Sequence, residues 1–277
     1  MTLSFAQAMK TLAAAGTEQN RAVYRRHGAK GDVFGVGFAT LDGLARELGR
    51  DAKLAAALWK SKNADARLLA TRVADPNVMT PSLLDAGAKE VDWYVGADAL
   101  AKLATASPHA KTIAQKWLAS KGEWTLRAGW HALALLTRDP SLTDAFFEPF
   151  IARIEREIGS APNRAKDAMN AALIAIGIRN AAFAKLATRA AARIGKVDVD
   201  HGATACKTPN AALYIKRARA WLEAQAKKRQ AKAKRAAKKT KVAAPSPRKA
   251  GSAATRVKKK TAKKASPTKT RARRSAR

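Results

Sequence analysis

Apolar side chains recur along this chain at intervals of three and four, as in Leu142, Phe146, Phe150, Ile154 and Ile158. That spacing sets them on one face of an α-helix. Helix start and stop signals punctuate the pattern roughly every 15 to 20 residues. Ser4 and Gln7 can form a capping box, and Gly16 can close the first helix. Thr17 caps a second helix carrying Tyr24, and the glycine-rich stretch Gly28 to Gly37 predicts a loop. Thr40 is the expected start of the next helix, which ends at Gly49. Asp51 and Asn63 each open a helix, the second stopped by Pro76, and Thr80 with Pro81 opens another. Further helices are predicted over 92–105, 107–120, 122–137 and 141–159, from Pro162, over 180–195, and from Thr208–Pro209 into the C-terminal segment. Period-two alternation extends no further than Lys196 to Asp200. Short helices joined by short loops predict an all-α fold, a HEAT-like solenoid of antiparallel helix pairs. An irregular helical bundle is the alternative.

Alanine dominates residues 1–225 and β-branched residues are sparse, which favours helix. A stretch of that length can bury a sizeable core as one domain. Nowhere is there an apolar run long enough to cross a bilayer. The N-terminal segment lacks a basic stretch ahead of its apolar part, so it reads as an amphipathic helix rather than a signal peptide. The single cysteine, Cys206, rules out a disulfide framework and fits a reducing cytosol. A cytoplasmic protein of a bacterial nucleoid is the expected setting.

Charge divides the chain. Residues 226–277 hold 22 of the 54 Lys and Arg and no acidic residue, and only Val242 and Val257 interrupt as larger apolar side chains. Such a segment cannot bury enough surface to offset its ordering entropy, so a disordered basic tail is expected beyond a domain of residues 1–225. Its first part, Ala224 to Lys239, is rich enough in Ala and Lys to prolong the last helix. The other 32 basic residues face all 21 acidic ones, so the body is only moderately basic. A polycation tethered to such a body points to nucleic acid, bound through phosphates and with steep salt dependence. The tail contacts would come from Arg248, Lys249, Lys258, Lys259, Lys260 and Lys269. Ser246-Pro247-Arg248-Lys249 and Ser266-Pro267-Thr268-Lys269 resemble the Ser-Pro-x-basic units of linker-histone tails. The tail has no aromatic residue, so stacking on bases is not its mode. It has no hydrophobic anchor either, which disfavours a membrane partner.

Three short motifs carry a wider resemblance. They are His27-Gly28-Ala29-Lys30 leading through Val33-Phe34-Gly35-Val36, then Trp93-Tyr94-Val95-Gly96-Ala97-Asp98, then Trp124-Thr125-Leu126-Arg127-Ala128. In this order and spacing they resemble the DNA alkylation repair family of HEAT-like DNA glycosylases, the AlkD type, over roughly residues 20–225. The resemblance implies double-stranded DNA as partner and excision of 3- or 7-alkylated purines. It implies Asp98 as the catalytic carboxylate, with Trp93 and Tyr94 as cleft walls. It further implies Arg127 as a clamp on the DNA backbone, with Trp124 beside it. Two departures stand out. The second aromatic of the middle motif is Tyr94 rather than Trp, and the stretch Lys166 to Leu173, where the family places a further Trp, has no aromatic.

The chemistry fits that implication. An alkylated purine is already cationic and leaves readily, so one carboxylate facing an oxocarbenium-like sugar could suffice without metal or cofactor. Tyr94 and Asp98, four residues apart, share a helix face, where an aromatic ring could hold a cationic base. Each of these residues also has an ordinary explanation: Asp98 as a solvated helix acid, Trp93 and Tyr94 as core aromatics, Arg127 as a surface cation. Trp130 could replace the missing aromatic or sit in the core. Arg25, Arg26 and Lys30, beside the glycine-rich loop, are the preferred additional DNA contacts. Others of the kind are Arg21, Arg164, Lys166, Lys216, Arg217 and Arg219. Asp198, Asp200, His201 and Cys206 are metal-binding types at a spacing that matches no known site, so no metal is expected. Two non-enzymatic functions compete: a nucleoid-associated DNA-binding protein on the same scaffold, and a HEAT-type scaffold for other proteins.

Overall fold

The computed structural model describes residues 3–243, with side chains through residue 234. The chain divides into two units, residues 1–227 and 228–277. Within the first, short amphipathic helices follow one another, opened in most cases by the side chains the sequence offers. They are α1 (Phe5–Ala15), α2 (Glu18–Arg26), α3 (Phe38–Leu48), α4 (Ala52–Lys60), α5 (Ala64–Val73), α6 (Pro81–Glu90), α7 (Tyr94–Thr105), α8 (Ala110–Leu118), α9 (Glu123–Leu136), α10 (Asp144–Glu157), α11 (Asn163–Arg179), α12 (Ala181–Ile194) and α13 (Ala211–Ala243). No strand occurs among the described residues, only one isolated bridge between Gly16 and Val36. None of these helices is long and apolar enough to cross a membrane.

Ser4 forms a complete capping box with Gln7. Thr17, Asp51, Asn63, Thr80 and Asn180 each accept a backbone N–H in the first turn of the helix they precede, satisfying donors that would otherwise be orphaned. Helix α3 departs from expectation. It begins at Phe38, because the Gly37 carbonyl accepts from Leu41 N at 3.0 Å, and Thr40 lies exposed inside its first turn. Helix α13 starts at Ala211 after Asn210, whose side chain accepts from Leu213 N at 3.0 Å. It continues to Ala243, so residues 226–243, expected in part as unfolded tail, are helical. The second unit is described over residues 228–243, all of them in this helix.

Packing in the first unit sorts the helices into two layers. Helices α3, α5, α7, α9 and α11 lie side by side in one. Helices α4, α8 and α12 cross behind α5, α9 and α11, and α10 packs on α12. This is the HEAT-like arrangement of helix pairs. Leu58, Leu68, Leu84, Ile113, Trp117, Leu133 and Phe147 are fully buried between the layers. Close approach depends on small residues at the crossings. A Cβ on Gly129 would meet the Leu118 backbone N at 2.7 Å, and one on Gly177 would meet Ile215 of α13 at 2.6 Å.

The glycine-rich loop is built rather than loose. Asp65, fully buried on α5, accepts from Phe34 N at 2.7 Å, Gly35 N at 3.1 Å and Val36 N at 2.7 Å. Three N–H donors offset the cost of burying that carboxylate. Gly35 has φ +79°, and a Cβ there would lie 2.4 Å from Arg21 N, so no other residue fits. Tyr24 donates its hydroxyl to Val36 O at 2.6 Å, and burial together with Asp65 raises its pKa.

Candidate nucleic-acid interface

The layer of odd-numbered helices carries most of the residues that the sequence singles out. Helix α7 opens directly after Trp93 and presents Tyr94 and Asp98 one turn apart, both half-buried. Helix α9 brings Arg127 and His131, also one turn apart, alongside them. Helix α11 contributes Arg164 and Asp167 from its first turns.

Arg127 is the hub. Its Nε donates to Asp98 Oδ1 at 2.9 Å and its Nη2 to Asp98 Oδ2 at 2.8 Å, a two-point fork. Nη1 donates to Asp167 Oδ2 at 2.8 Å and to Arg164 O at 2.9 Å. Burial opposes the charge of this guanidinium, but Asp98 and Asp167 together hold its pKa above the usual range. The side chain is 6% exposed while each carboxylate is 24% exposed. His131 Nδ1 lies 3.7 Å from Asp98 Oδ1, and burial keeps its pKa low despite that neighbour. Charge-assisted, forked pairing of this kind fixes both partners in orientation.

Tyr94 lies against the hub. The guanidinium groups of Arg127 and Arg164 each lie 4.9 Å from its ring centroid. Its hydroxyl bonds His27 Nδ1 at the end of α2. Burial, then Cys206, raises the Tyr94 pKa. Burial, then Arg164 and Arg26, lowers that of His27. Arg164 also contacts His201 Nδ1 at 3.3 Å, and His201 Nε2 meets Thr208 Oγ1 at 2.9 Å. The segment from Asp198 to Cys206 therefore packs its histidine onto the site's arginine, with Cys206 exposed.

Several expectations change with these positions. Arg127 is no free phosphate clamp: four of its five N–H groups are spent on Asp98, Asp167 and the Arg164 carbonyl, and the side chain is nearly enclosed. Trp93 is buried and packs 5.5 Å from the Tyr24 ring, so it belongs to the core rather than to a cleft wall. Trp130 is fully buried, edge-on to Phe150 at 6.2 Å, and does not replace the missing aromatic. Trp124 is half-buried, whereas Arg25, Arg26 and Lys30 are exposed around the end of α2, where a phosphate could reach them. The tail residues Arg248, Lys249, Lys258, Lys259, Lys260 and Lys269 lie outside the described residues.

The residues that sequence reasoning missed are Asp167, His27 and Arg164 in its role against Tyr94. Asp167 stands in the very stretch where an aromatic was sought, and Asn170, one turn on, is buried and donates to Pro209 O at 3.0 Å. A cleft of about 830 Å³ is lined by His131, Asp167, Arg138, Arg179 and, from α13, Tyr214.

Comparison with known proteins gives these features a context. A family model described as DNA alkylation repair enzyme matches residues 8–212. The uncharacterized protein Lin0241 of Listeria innocua is 29% identical over 203 residues, covering 71% of this chain and 89% of the relative. Lmo0209 of Listeria monocytogenes is similar to the same extent. Among solved structures, one described as "A new family of proteins related to the HEAT-like repeat DNA glycosylases with affinity for branched DNA structures" matches with a TM-score of 0.73 at 27% identity. It covers 78% of this chain and 93% of that one.

Proposed function

We propose, on the premise that the chain belongs to the DNA alkylation repair enzyme family, that it is a repair protein which binds branched or otherwise distorted DNA without excising a base. Family and fold together support DNA binding in repair. One observation carries the finer statement: the Asp98 carboxylate is held in a two-point fork by Arg127, and the Tyr94 ring beside it already has two guanidinium groups against it. A glycosylase needs uncompensated negative charge where the sugar turns cationic. A guanidinium at 2.8–2.9 Å offsets that charge. A cationic alkylated purine seeking the Tyr94 ring would meet like charge there. The affinity for branched DNA of the family to which the related solved structure belongs supports the same assignment.

Base excision remains the second function, favoured by Asp98 being 24% exposed with His131 beside it. One experiment separates the two. Purified full-length protein is incubated with methylated duplex, and released 7-methylguanine and 3-methyladenine are measured against Asp98→Asn. In parallel, affinity for a four-way junction is compared with that for a duplex of equal length. Junction preference with no release above the Asp98→Asn control is the expected result. Release that disappears in Asp98→Asn would overturn the binding-only assignment, and equal affinity for junction and duplex would remove the branched-DNA part.

A further inference from the structure

We infer that the first turns of α13 form a stacking face for unpaired DNA nucleotides, with Trp221 and Tyr214 as its two platforms. This deepens the proposed function, because a branch point is where unpaired or unstacked bases become available. Of the six tryptophans, Trp93, Trp117 and Trp130 are buried in the core and Trp59 and Trp124 are half-buried. Trp221 is 61% exposed and Tyr214 50% exposed. Seven residues apart on one helix, they fall on the same face, with exposed Arg217 between them. Seven residues of helix rise about 10.5 Å, which spans about three nucleotide steps of ~3.4 Å.

Helix α13 is held so that this face stays out. Ile215 is buried against Gly177 of α11, which Ala187 of α12 also approaches, and Ala211 is buried as well. The platforms lie to the side of that anchor. Arg219 points the other way, half-covered and paired with Glu223 at 3.3 Å. Between Ala211 and Lys227 the other charged residues, Lys216, Arg217 and Lys227, are all cationic and all exposed.

Charge chooses the occupant. An exposed pair of aromatic rings with an intervening guanidinium suits a phosphate-linked chain of bases, since every base offers a π-face and every link an anion. The same charges would repel a second copy of the helix. Tyr214 also lines the cleft that His131 and Asp167 share. An unpaired nucleotide leaving the Tyr214 platform therefore has an open, Arg-lined space beside it.

The test uses the full chain with three DNAs of equal length: a blunt duplex, a fork with single-stranded arms, and a four-way junction. Trp221→Ala and Tyr214→Ala are each expected to weaken fork binding about tenfold, and to change duplex binding less than about twofold. Trp221→Phe is expected to restore most of the fork affinity, since a smaller aromatic still stacks. Tryptophan emission should be quenched by the fork in the wild type and not in Trp221→Phe. Unchanged fork affinity, or equal loss on fork and duplex, would overturn the inference. So would a wild-type dimer in sedimentation that Trp221→Ala dissociates, because the face would then serve self-association. Wild-type protein that does not distinguish fork or junction from duplex would instead refute the branched-DNA function itself, whatever the variants do.

Discussion

Arg127 is nearly enclosed, and its charge is balanced by two carboxylates that each keep some contact with water. Removing one partner of a buried ion pair costs more than the pair contributed, because the remaining charges lose their compensation. Arg127→Met should therefore destabilise the protein by about 3 kcal/mol, leaving Asp98 and Asp167 facing a shared apolar space. Urea denaturation would register this as a lower midpoint at unchanged slope. Asp98→Asn keeps one acceptor of the fork but turns its NH2 toward the other guanidinium N–H; with Asp167 in place and the side chain partly exposed, its cost should be smaller, about 2 kcal/mol. Equal costs for the two variants would contradict the hub assignment. At this scale the sequence disclosed a half. Tyr94 and Asp98 are legible together because four residues on a helix define a shared face. The partners of Arg127 are not, because its fork joins residues 29 and 40 positions apart through packing between helices. For Trp93 and Trp130 the sequence left core and cleft both open, and packing between helices put both in the core.

Element boundaries were easier to read than element contacts. Ser4, Thr17, Asp51, Asn63, Thr80 and Asn180 are local capping signals, and a local signal survives in one dimension. Thr40 misled because Gly37 offers its carbonyl to Leu41 with no side-chain cap at all, and a backbone acceptor leaves no letter in the sequence. The loop of Gly28 to Gly37 was recognised from its glycines, but its latch, Asp65, lies about 30 residues downstream. Asp65→Asn preserves shape but turns an N–H group toward backbone N–H donors. We expect a loss of about 3 kcal/mol, equivalent to a thermal midpoint lower by roughly 6–12 °C for a domain of this size. Scanning calorimetry would measure it. A shift under ~1 °C would mean that the loop holds its form without the carboxylate. Helix α13 outruns its expected end for a related reason. A run of Ala and Lys has high helical propensity of its own.

For the molecule as a whole, charge and fold are separable in the sequence. The all-α solenoid is legible as a succession of capped amphipathic segments. Which helices line up in one layer is not, since that follows from crossings such as Gly129 on Leu118 and Gly177 on Ile215. Residues 226–277 carry 22 of the 54 cationic side chains, and each one that meets a phosphate releases counterions. Deleting them should lower duplex affinity by about 100-fold at low salt and flatten the dependence of log affinity on log salt. The preference for a junction over duplex should persist in the truncated protein, because it belongs to the helical unit. Gel shifts at two salt concentrations would decide, and an unchanged slope would show that the basic segment is not a DNA contact.

One guanidinium thus fastens three consecutive members of the stack, α7, α9 and α11. None of the three can loosen by itself: a sideways shift of any one tears the same knot of charge from the other two. DNA that bends against this stretch, as the proposed function requires, would meet three helices pinned by one buried charge, and the cost of fitting would fall chiefly on the nucleic acid.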